Sequence, residues 1–88
     1  MKYTDHIEVD SQDGRTVVRF RDDELFDLFD DLFVEHDLEC EFIIKIPADA
    51  ASKLHEMHFP SAVSRAKVLE VLHSVPETEI ERIFGLNN

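Results

Sequence analysis

The sequence predicts an α+β domain: a β-hairpin, an acidic amphipathic helix and a third strand (ββαβ, a three-stranded sheet), followed by two to three C-terminal helices. Three observations favour this fold. Alternating apolar and polar residues flank an Asp13-Gly14 pair, residues 22–41 keep a helical apolar repeat, and residues 48–88 show helical periodicity with cap signals. The chain has 88 residues, of which 43% are apolar, enough for one core. We therefore expect a single domain over residues 1–88, with a ββαβ acidic part (1–47) and a helical part (48–88).

The first two strands are predicted over residues 3–10 and 15–21, which alternate in polarity. Asp13-Gly14 lies between them and suits a tight turn that needs positive φ. In the second strand the side chains expected to face the core are Thr16, Val18 and Phe20. The opposite face carries Arg15, Val17, Arg19 and Arg21. We expect these arginines to pair across the sheet with Glu8 and Glu41.

The next element is a helix that begins after Asp22, a residue suited to cap it. Its apolar side chains fall on an arc of roughly 160° that should face the core: Leu25, Phe26, Leu28, Phe29, Leu32 and Phe33. The opposite arc is acidic, and we call it the acidic face: Asp23, Glu24, Asp27, Asp30, Asp31, Glu35 and Asp37. Val34 interrupts it. His36 falls near the middle of the apolar arc, where we expect a satisfied, partly buried histidine.

The acidic face carries a stability cost. Like charges three or four residues apart, such as Asp27 and Asp31, cost about 0.2–0.5 kcal/mol per pair, and the five pairs in this helix sum to roughly 1–2.5 kcal/mol. Residues 22–41 hold ten carboxylates and no lysine or arginine. A helix selected only for stability would place lysines at some of these positions. The pattern therefore favours a docking face for a cationic surface, and the alternative is a solvated face of the kind found in acidic proteomes.

The third strand is predicted over residues 40–46, where polarity alternates up to Pro47. It could lie antiparallel beside the first strand or parallel beside the second. Cys40 stands alone in the sequence, so no internal disulfide is possible, and we expect it to be a small core residue.

Helical periodicity dominates the rest of the chain. One helix is predicted over residues 49–58, with Ala50, Leu54 and Met57 on one side. The second is predicted over residues 62–73, with Ser61 as its cap, and its expected buried residues are Ala62, Ala66, Leu69 and Leu72. For the last helix, residues 74–77 fit a capping box with proline in the first turn. Its expected core residues are Ile80, Ile83 and Phe84, and Gly85 is placed to end it.

No constellation of catalytic residues is visible, so we expect no enzyme. The sequence lacks a Ser-His-Asp arrangement, a Gly-rich phosphate loop and a CxxC motif. His55 and His58 are three apart on a predicted helix, a spacing that can hold a metal ion, but nothing else completes a ligand set. We therefore expect neither a metal nor a cofactor.

Charge restricts the class of partner. The net charge is −11, and it is uneven: residues 1–44 carry 14 acidic and 4 basic side chains, whereas residues 45–88 carry 6 and 5. Such a balance argues against direct binding of nucleic acid or an anionic membrane, which both require clustered Lys and Arg. The two C-terminal helices could resemble a helix-turn-helix unit, but they carry too few basic residues for DNA. The start of the sequence lacks the apolar segment of a signal peptide, and we expect a cytoplasmic protein.

These observations favour a non-enzymatic acidic interaction protein that blocks the basic, nucleic-acid-binding surface of a partner protein. Carboxylates four apart on a helix are separated by about 6 Å along its axis, a spacing comparable with that of phosphates along a strand. By analogy of size and charge, the expected class is a nucleic-acid mimic such as a phage anti-restriction or anti-CRISPR inhibitor, or an immunity or antitoxin protein. The alternative is a small structural or regulatory subunit with a solvated acidic surface, whose contacts are made by the C-terminal helices.

Overall fold

A computed structural model of the chain describes residues 2–4, 6–38, 40–44 and 55–87. Its five strands are β1 (Lys2–Thr4), β2 (Ile7–Gln12), β3 (Arg15–Phe20), β4 (Phe42–Ile44) and β5 (His55–His58). Its three helices are α1 (Asp23–Glu35), α2 (Arg65–His73) and α3 (Glu77–Asn87). The α+β class is confirmed, with a hairpin, a helix after it, a further strand and two C-terminal helices.

The described strands form one antiparallel sheet in the order β1-β2-β3-β5-β4. The sheet is larger than the sequence predicts, because two segments add strands. Residues 3–10, predicted as one strand, are divided between β1 and β2, which pair with each other. The second addition is β5, which lies between β3 and β4. The third predicted strand, β4, therefore pairs with neither hairpin strand, and both positions expected for it are wrong.

The prediction of a helix over residues 49–58 is wrong at its C-terminal end, where the chain forms β5. The part from residue 49 to residue 54, with Ala50 and Leu54, lies outside the described residues. In β5, His55 and Met57 point to the core side, and Phe59 continues the ladder by donating its N–H to the Thr16 carbonyl at 2.9 Å. The edge of β3 supplies hydrogen-bond partners, and burial of Met57 in the core favours the strand over local helix propensity.

The β2–β3 hairpin follows the prediction closely. Asp13 and Gly14 have φ values of 53° and 77°, as a two-residue turn with both central residues left-handed requires. Thr16, Val18 and Phe20 are buried as expected. Val17 was predicted to face outward, yet it is fully buried. Because β3 is a central strand, Val17 lies between Asp10 of β2 and His58 of β5, which flank it on both sides.

Helix α1 packs on one face of the sheet through aromatic contacts. The Phe20 ring lies 5.6 Å from the Phe29 ring in a stacked arrangement and meets the Phe26 ring edge-on at 5.9 Å. Phe33 meets Phe59 edge-on at 4.9 Å. Of the six residues on the predicted apolar arc, four are buried and two, Leu28 and Leu32, are partly buried against the same core. The prediction of this helix and its inward face is confirmed.

Helix α2 begins three residues later than predicted. Ser64, not Ser61, is the N-cap, and its Oγ accepts a hydrogen bond from the Lys67 N–H at 3.2 Å. The buried side chains of α2 are Val68, Val71 and Leu72. The expected core residues Ala62 and Ala66 are exposed, and Leu69 is half-buried. The later start leaves Ala62 outside the helix, and the larger apolar side chains of the Val68, Val71 and Leu72 stripe occupy the core in place of the alanines.

Helix α3 closes the helical layer on the same side of the sheet. The expected capping box is wrong, because the Ser74 hydroxyl donates to the Val71 carbonyl at 2.6 Å and so ends α2. Ile80 is buried, and Ile83 and Phe84 pack against the core as predicted. The helix runs on to Asn87, so Gly85 does not end it. None of the three helices in the described part is long and apolar enough to cross a membrane.

Phe29 tests the packing of α1. Replacing this fully buried side chain, Phe29→Ala, should lower the free energy of unfolding by about 3–5 kcal/mol, because the change removes ring contacts and leaves a cavity. Val34→Ala on the exposed side of the same helix should change it by less than about 0.5 kcal/mol. Urea denaturation of the three proteins measures both effects. Equal midpoints for Phe29→Ala and the wild type would contradict the packing of α1 on β3.

Candidate functional site

Helix α1 presents six carboxylates of the acidic face on the side opposite its core contacts, and the remaining one, Asp37, lies beyond the end of the helix, which corrects the prediction that it belongs to the helical arc. Six of the seven carboxylates are exposed and the seventh, Asp30, is half-buried: the exposed ones are Asp23, Glu24, Asp27, Asp31, Glu35 and Asp37. Val34, which interrupts them, is 64% exposed. The sequence therefore predicts the exposure of this face correctly.

Four carboxylates of the acidic face repeat at strict four-residue spacing: Asp23, Asp27, Asp31 and Glu35. Each step advances about 6 Å along the helix axis, so the row spans roughly 18 Å and winds slowly around the helix. Its N-terminal end is fixed by Asp22, whose Oδ2 accepts a hydrogen bond from the Leu25 N–H at 3.2 Å, as predicted. The acidic residues of the first turn also interact favourably with the positive end of the helix dipole.

The C-terminal end of α1 differs from the prediction. The helix ends at Glu35, and the C-cap residue His36 is exposed rather than partly buried. Asp37 follows with a φ of 59°, which turns the chain away from the helix axis. Leu38 is then the buried residue, and its N–H donates to the Phe33 carbonyl at 2.8 Å. The apolar arc thus no longer applies at position 36, because the backbone leaves the helix there.

Four arginines in the described residues form ion pairs with carboxylates outside the acidic face, and a fifth, Arg65, donates to the Ser11 hydroxyl at 2.9 Å. Two of these pairs were predicted and are confirmed, Arg21 with Glu8 at 3.3 Å and Arg15 with Glu41. On α3, Arg82 pairs with Glu79 one turn earlier. These interactions neutralise charge on the sheet, next to β4 and on α3. They leave the charge of the acidic face unchanged.

Arg19 holds the most buried of these ion pairs, on the sheet face opposite the helices. Its Nε donates to Glu56 Oε2 at 2.6 Å, and its Nη1 donates to Asp10 Oδ2 at 3.1 Å. Burial raises the pKa of Glu56, but hydrogen bonds from Arg19 and His58 outweigh it, so the pKa lies below its ordinary value of 4.5. A hydrogen bond from the Ser11 N–H, followed by that from Arg19, lowers the pKa of Asp10. The hydrogen bond to Glu56 raises the pKa of Arg19.

The two histidines of β5 contact different carboxylates. His55 Nε2 lies 2.6 Å from Asp23 Oδ1 on the helical side of the sheet, and His58 Nε2 lies 2.9 Å from Glu56 Oε1 on the other side. Residues three apart in a strand point to opposite faces of the sheet. His55 and His58 therefore cannot bind one metal ion together, as they could have done on a helix. Within the described ranges, no three His, Cys, Asp or Glu side chains are arranged to hold a metal ion.

Sequence reasoning missed the contact of His55 with the acidic face because it placed residue 55 on a helix. The alternation of His55, Met57 and Phe59 with polar neighbours was the available signal, and all three side chains are buried. Cys40 is half-buried at the margin of the core, close to its expected role. In the described part of the chain, no buried side-chain nitrogen or oxygen lacks a hydrogen-bond partner.

Comparisons with protein-family models, with curated proteins and with solved structures give no match to this chain. Function is therefore inferred from the geometry and charge of the acidic face.

Charge reversal within the row tests its repulsion. Asp31→Lys should raise the free energy of unfolding by about 1 kcal/mol, because it converts the repulsions with Asp27 and Glu35 into attractions. Glu24→Lys makes the same charge change in the first turn, where it opposes the helix dipole, and should give no gain. Thermal unfolding at low ionic strength measures both, and added salt should reduce the gain. A destabilised Asp31→Lys variant would show that Asp31 supports the fold.

The Arg19 cluster predicts a pH dependence. Because the pKa of Glu56 is lowered on folding, its ion pair stabilises the protein fully above pH 4.5 and loses that contribution as the pH falls through the folded-state value. Glu56→Gln should therefore destabilise the protein at pH 7, and the difference from the wild type should shrink at acidic pH. Glu70→Gln, an exposed change on α2, should show no such trend. The midpoints of urea denaturation between pH 3 and 7 measure these differences in stability. If Glu56→Gln were destabilised by the same amount at every pH, the stabilising role of the ionised Glu56 would be contradicted.

Proposed function

We propose that this chain is a non-enzymatic acidic interaction protein whose acidic face occupies a basic, nucleic-acid-binding surface of a partner protein and blocks it. The observation that carries the proposal is the distribution of ion pairs. Arg15, Arg19, Arg21 and Arg82 form ion pairs with carboxylates elsewhere, while the four carboxylates of the row on α1 stay exposed. The fold thus places these four arginines away from the surface where they would relieve most repulsion.

The rigidity of α1 supports a docking role. Four buried apolar side chains and the Asp22 cap hold the helix on the sheet, so the backbone beneath the carboxylates is ordered before any partner binds. A preorganised surface avoids much of the entropy cost of binding, which a disordered acidic segment would have to meet. Affinity for a basic groove then depends on the fit of the charges.

The spacing of the row supports a groove that normally holds a nucleic-acid backbone. Successive carboxylates advance about 6 Å along the helix, while phosphates of one strand advance about 3.4 Å along the duplex axis and also wind around it. Both form a curved line of negative charge at comparable separation. A groove lined by Lys and Arg for phosphates could therefore accept the row of Asp23, Asp27, Asp31 and Glu35.

Relief of repulsion between the carboxylates would contribute to binding. Cationic side chains of the partner would relieve the repulsion between neighbouring carboxylates, which costs the free protein roughly 1–2.5 kcal/mol. The field of a face with seven carboxylates also steers a basic partner and accelerates association. We propose that the chain is cytoplasmic, and that it acts as a nucleic-acid mimic of the anti-restriction or anti-CRISPR type, or as an immunity or antitoxin protein.

Binding to a purified partner tests the proposal. Proteins captured from the native host by the immobilised chain would be identified by mass spectrometry, and the nucleic-acid-binding one would be purified. Its affinity for the chain should fall steeply with salt, and nucleic acid should compete. Asp27→Lys/Asp31→Lys should weaken binding by at least about 100-fold, because two charge pairs become repulsive, while circular dichroism and the melting temperature show an intact fold.

The matched control is Glu70→Lys/Glu77→Lys, which makes the same change in net charge on exposed positions of α2 and α3. It should retain most of the affinity. If the control variant loses binding and the Asp27/Asp31 variant retains it, the contact is made by the C-terminal helices. The acidic face would then be a solvated surface of a structural or regulatory subunit, and the proposal would be wrong.

A further inference from the structure

We infer that His55 makes the acidic face sensitive to pH: protonation of its imidazole neutralises Asp23, the first carboxylate of the row, and so weakens docking to cations. The inference rests on the proposed function, because it concerns the regulation of the same face. It is carried by the contact between a buried ring and an exposed carboxylate. The His55 side chain is 8% exposed and the Asp23 side chain 69%, with His55 Nε2 and Asp23 Oδ1 only 2.6 Å apart.

The position of His55 is fixed by the sheet and by α1. Its backbone pairs with Phe20 in β3, and its ring meets the Phe26 ring edge-on at 5.5 Å. The imidazole therefore lies at the edge of the core beneath the first turn of α1, where its Nε2 reaches the Asp23 carboxylate. Asp23 is thus the residue through which the protonation state of His55 acts on the surface.

Several charged groups surround this contact. On α1, Asp22 caps the helix through its own Oδ2, and Asp27 lies one turn beyond Asp23. On β3, the neighbours of Phe20 are Arg19 and Arg21, which form ion pairs on the opposite face of the sheet. On β5, Glu56 and His58 also lie on that opposite face and contact each other. Among these described groups, those on the helical side of the sheet are the carboxylates of Asp22 and α1.

The two protonation states have different effects on the row. Neutral imidazole with its proton on Nε2 donates a hydrogen bond to Asp23, which orients the carboxylate and leaves its full negative charge available to a cation. Imidazolium forms an ion pair with the same oxygen, so the local charge is cancelled. Lysine and arginine on a partner keep their charge throughout the pH range in which histidine side chains ordinarily change theirs.

A deca-lysine peptide whose α-amino group is blocked by a fluorescent dye that does not titrate provides a probe whose charge is constant between pH 5.5 and 8. Its affinity for the wild-type protein at low salt should fall about two- to fivefold over this range as the pH is lowered, the expected size for loss of one surface charge interaction. His55→Gln keeps an N–H donor but cannot be protonated, and it should lose that part of the pH response. His36→Gln, at the exposed C-cap of α1, should retain a wild-type decrease. Equal decreases for His55→Gln and the wild type would overturn the inference.

Reciprocal linkage gives a test that needs no variant. If protonation of His55 weakens peptide binding, bound peptide must disfavour protonation by the same factor. At a pH where the His55 ring is partly protonated, saturating deca-lysine should move its NMR signals toward those of neutral imidazole. Unchanged signals would overturn the inference. Failure of the proposed function is distinguishable, because Asp27→Lys/Asp31→Lys would then bind the purified partner protein as tightly as the wild type, whatever the pH response of deca-lysine binding.

Discussion

The packing of α1 on β3 is the interaction on which the rest of the molecule depends. Phe20 stacks on Phe29 and meets Phe26 edge-on, so the aromatic side of α1 is committed to the sheet. The orientation of the carboxylates on α1 follows from the packing of its aromatic side on the sheet, because residues three and four apart share a side of a helix. The same contact also sets the position of Asp23 over His55. Core formation and the acidic surface are therefore two consequences of one helix orientation.

The distribution of arginine completes this arrangement. A hairpin with its arginines on one strand face can neutralise carboxylates on neighbouring strands, and Arg19 does so for two of them on the side of the sheet away from the helices. The sheet is thereby stabilised by ion pairs across its strands, while α1 is held by apolar contacts. The two faces of the sheet use different interactions, which is why strong negative charge persists on α1 without opening the core.

The elements with local signals were predictable, and the others depended on distant partners. The Asp13-Gly14 turn and α1 follow from turn chemistry, a capping residue and a long apolar repeat, and so does exposure of the acidic face. β5 could not be predicted from its local sequence. Its four residues lie at the end of a stretch with helical character, and they form a strand because they pair with β3. The burial of Val17 was missed for the same reason, because it depends on the place of β3 at the centre of the sheet. The contact of His55 with Asp23 was also missed, because it depends on the pairing of β5 with β3.

The order of strands in the sheet also constrains the path by which the chain can fold. β4 precedes β5 in the sequence, yet its described pairing is with β5 alone. The pairing of β3 with β5 places Phe20 opposite His55, 35 positions later in the chain. Closing so long a loop is slow compared with closing the β2–β3 turn, so we expect the hairpin and α1 to form before the sheet is complete. During synthesis on the ribosome, the edge of β3 would then stay open until residue 58 has emerged. In that interval we expect the strong negative charge of the adjacent helix to keep nascent chains with an unpaired strand edge apart.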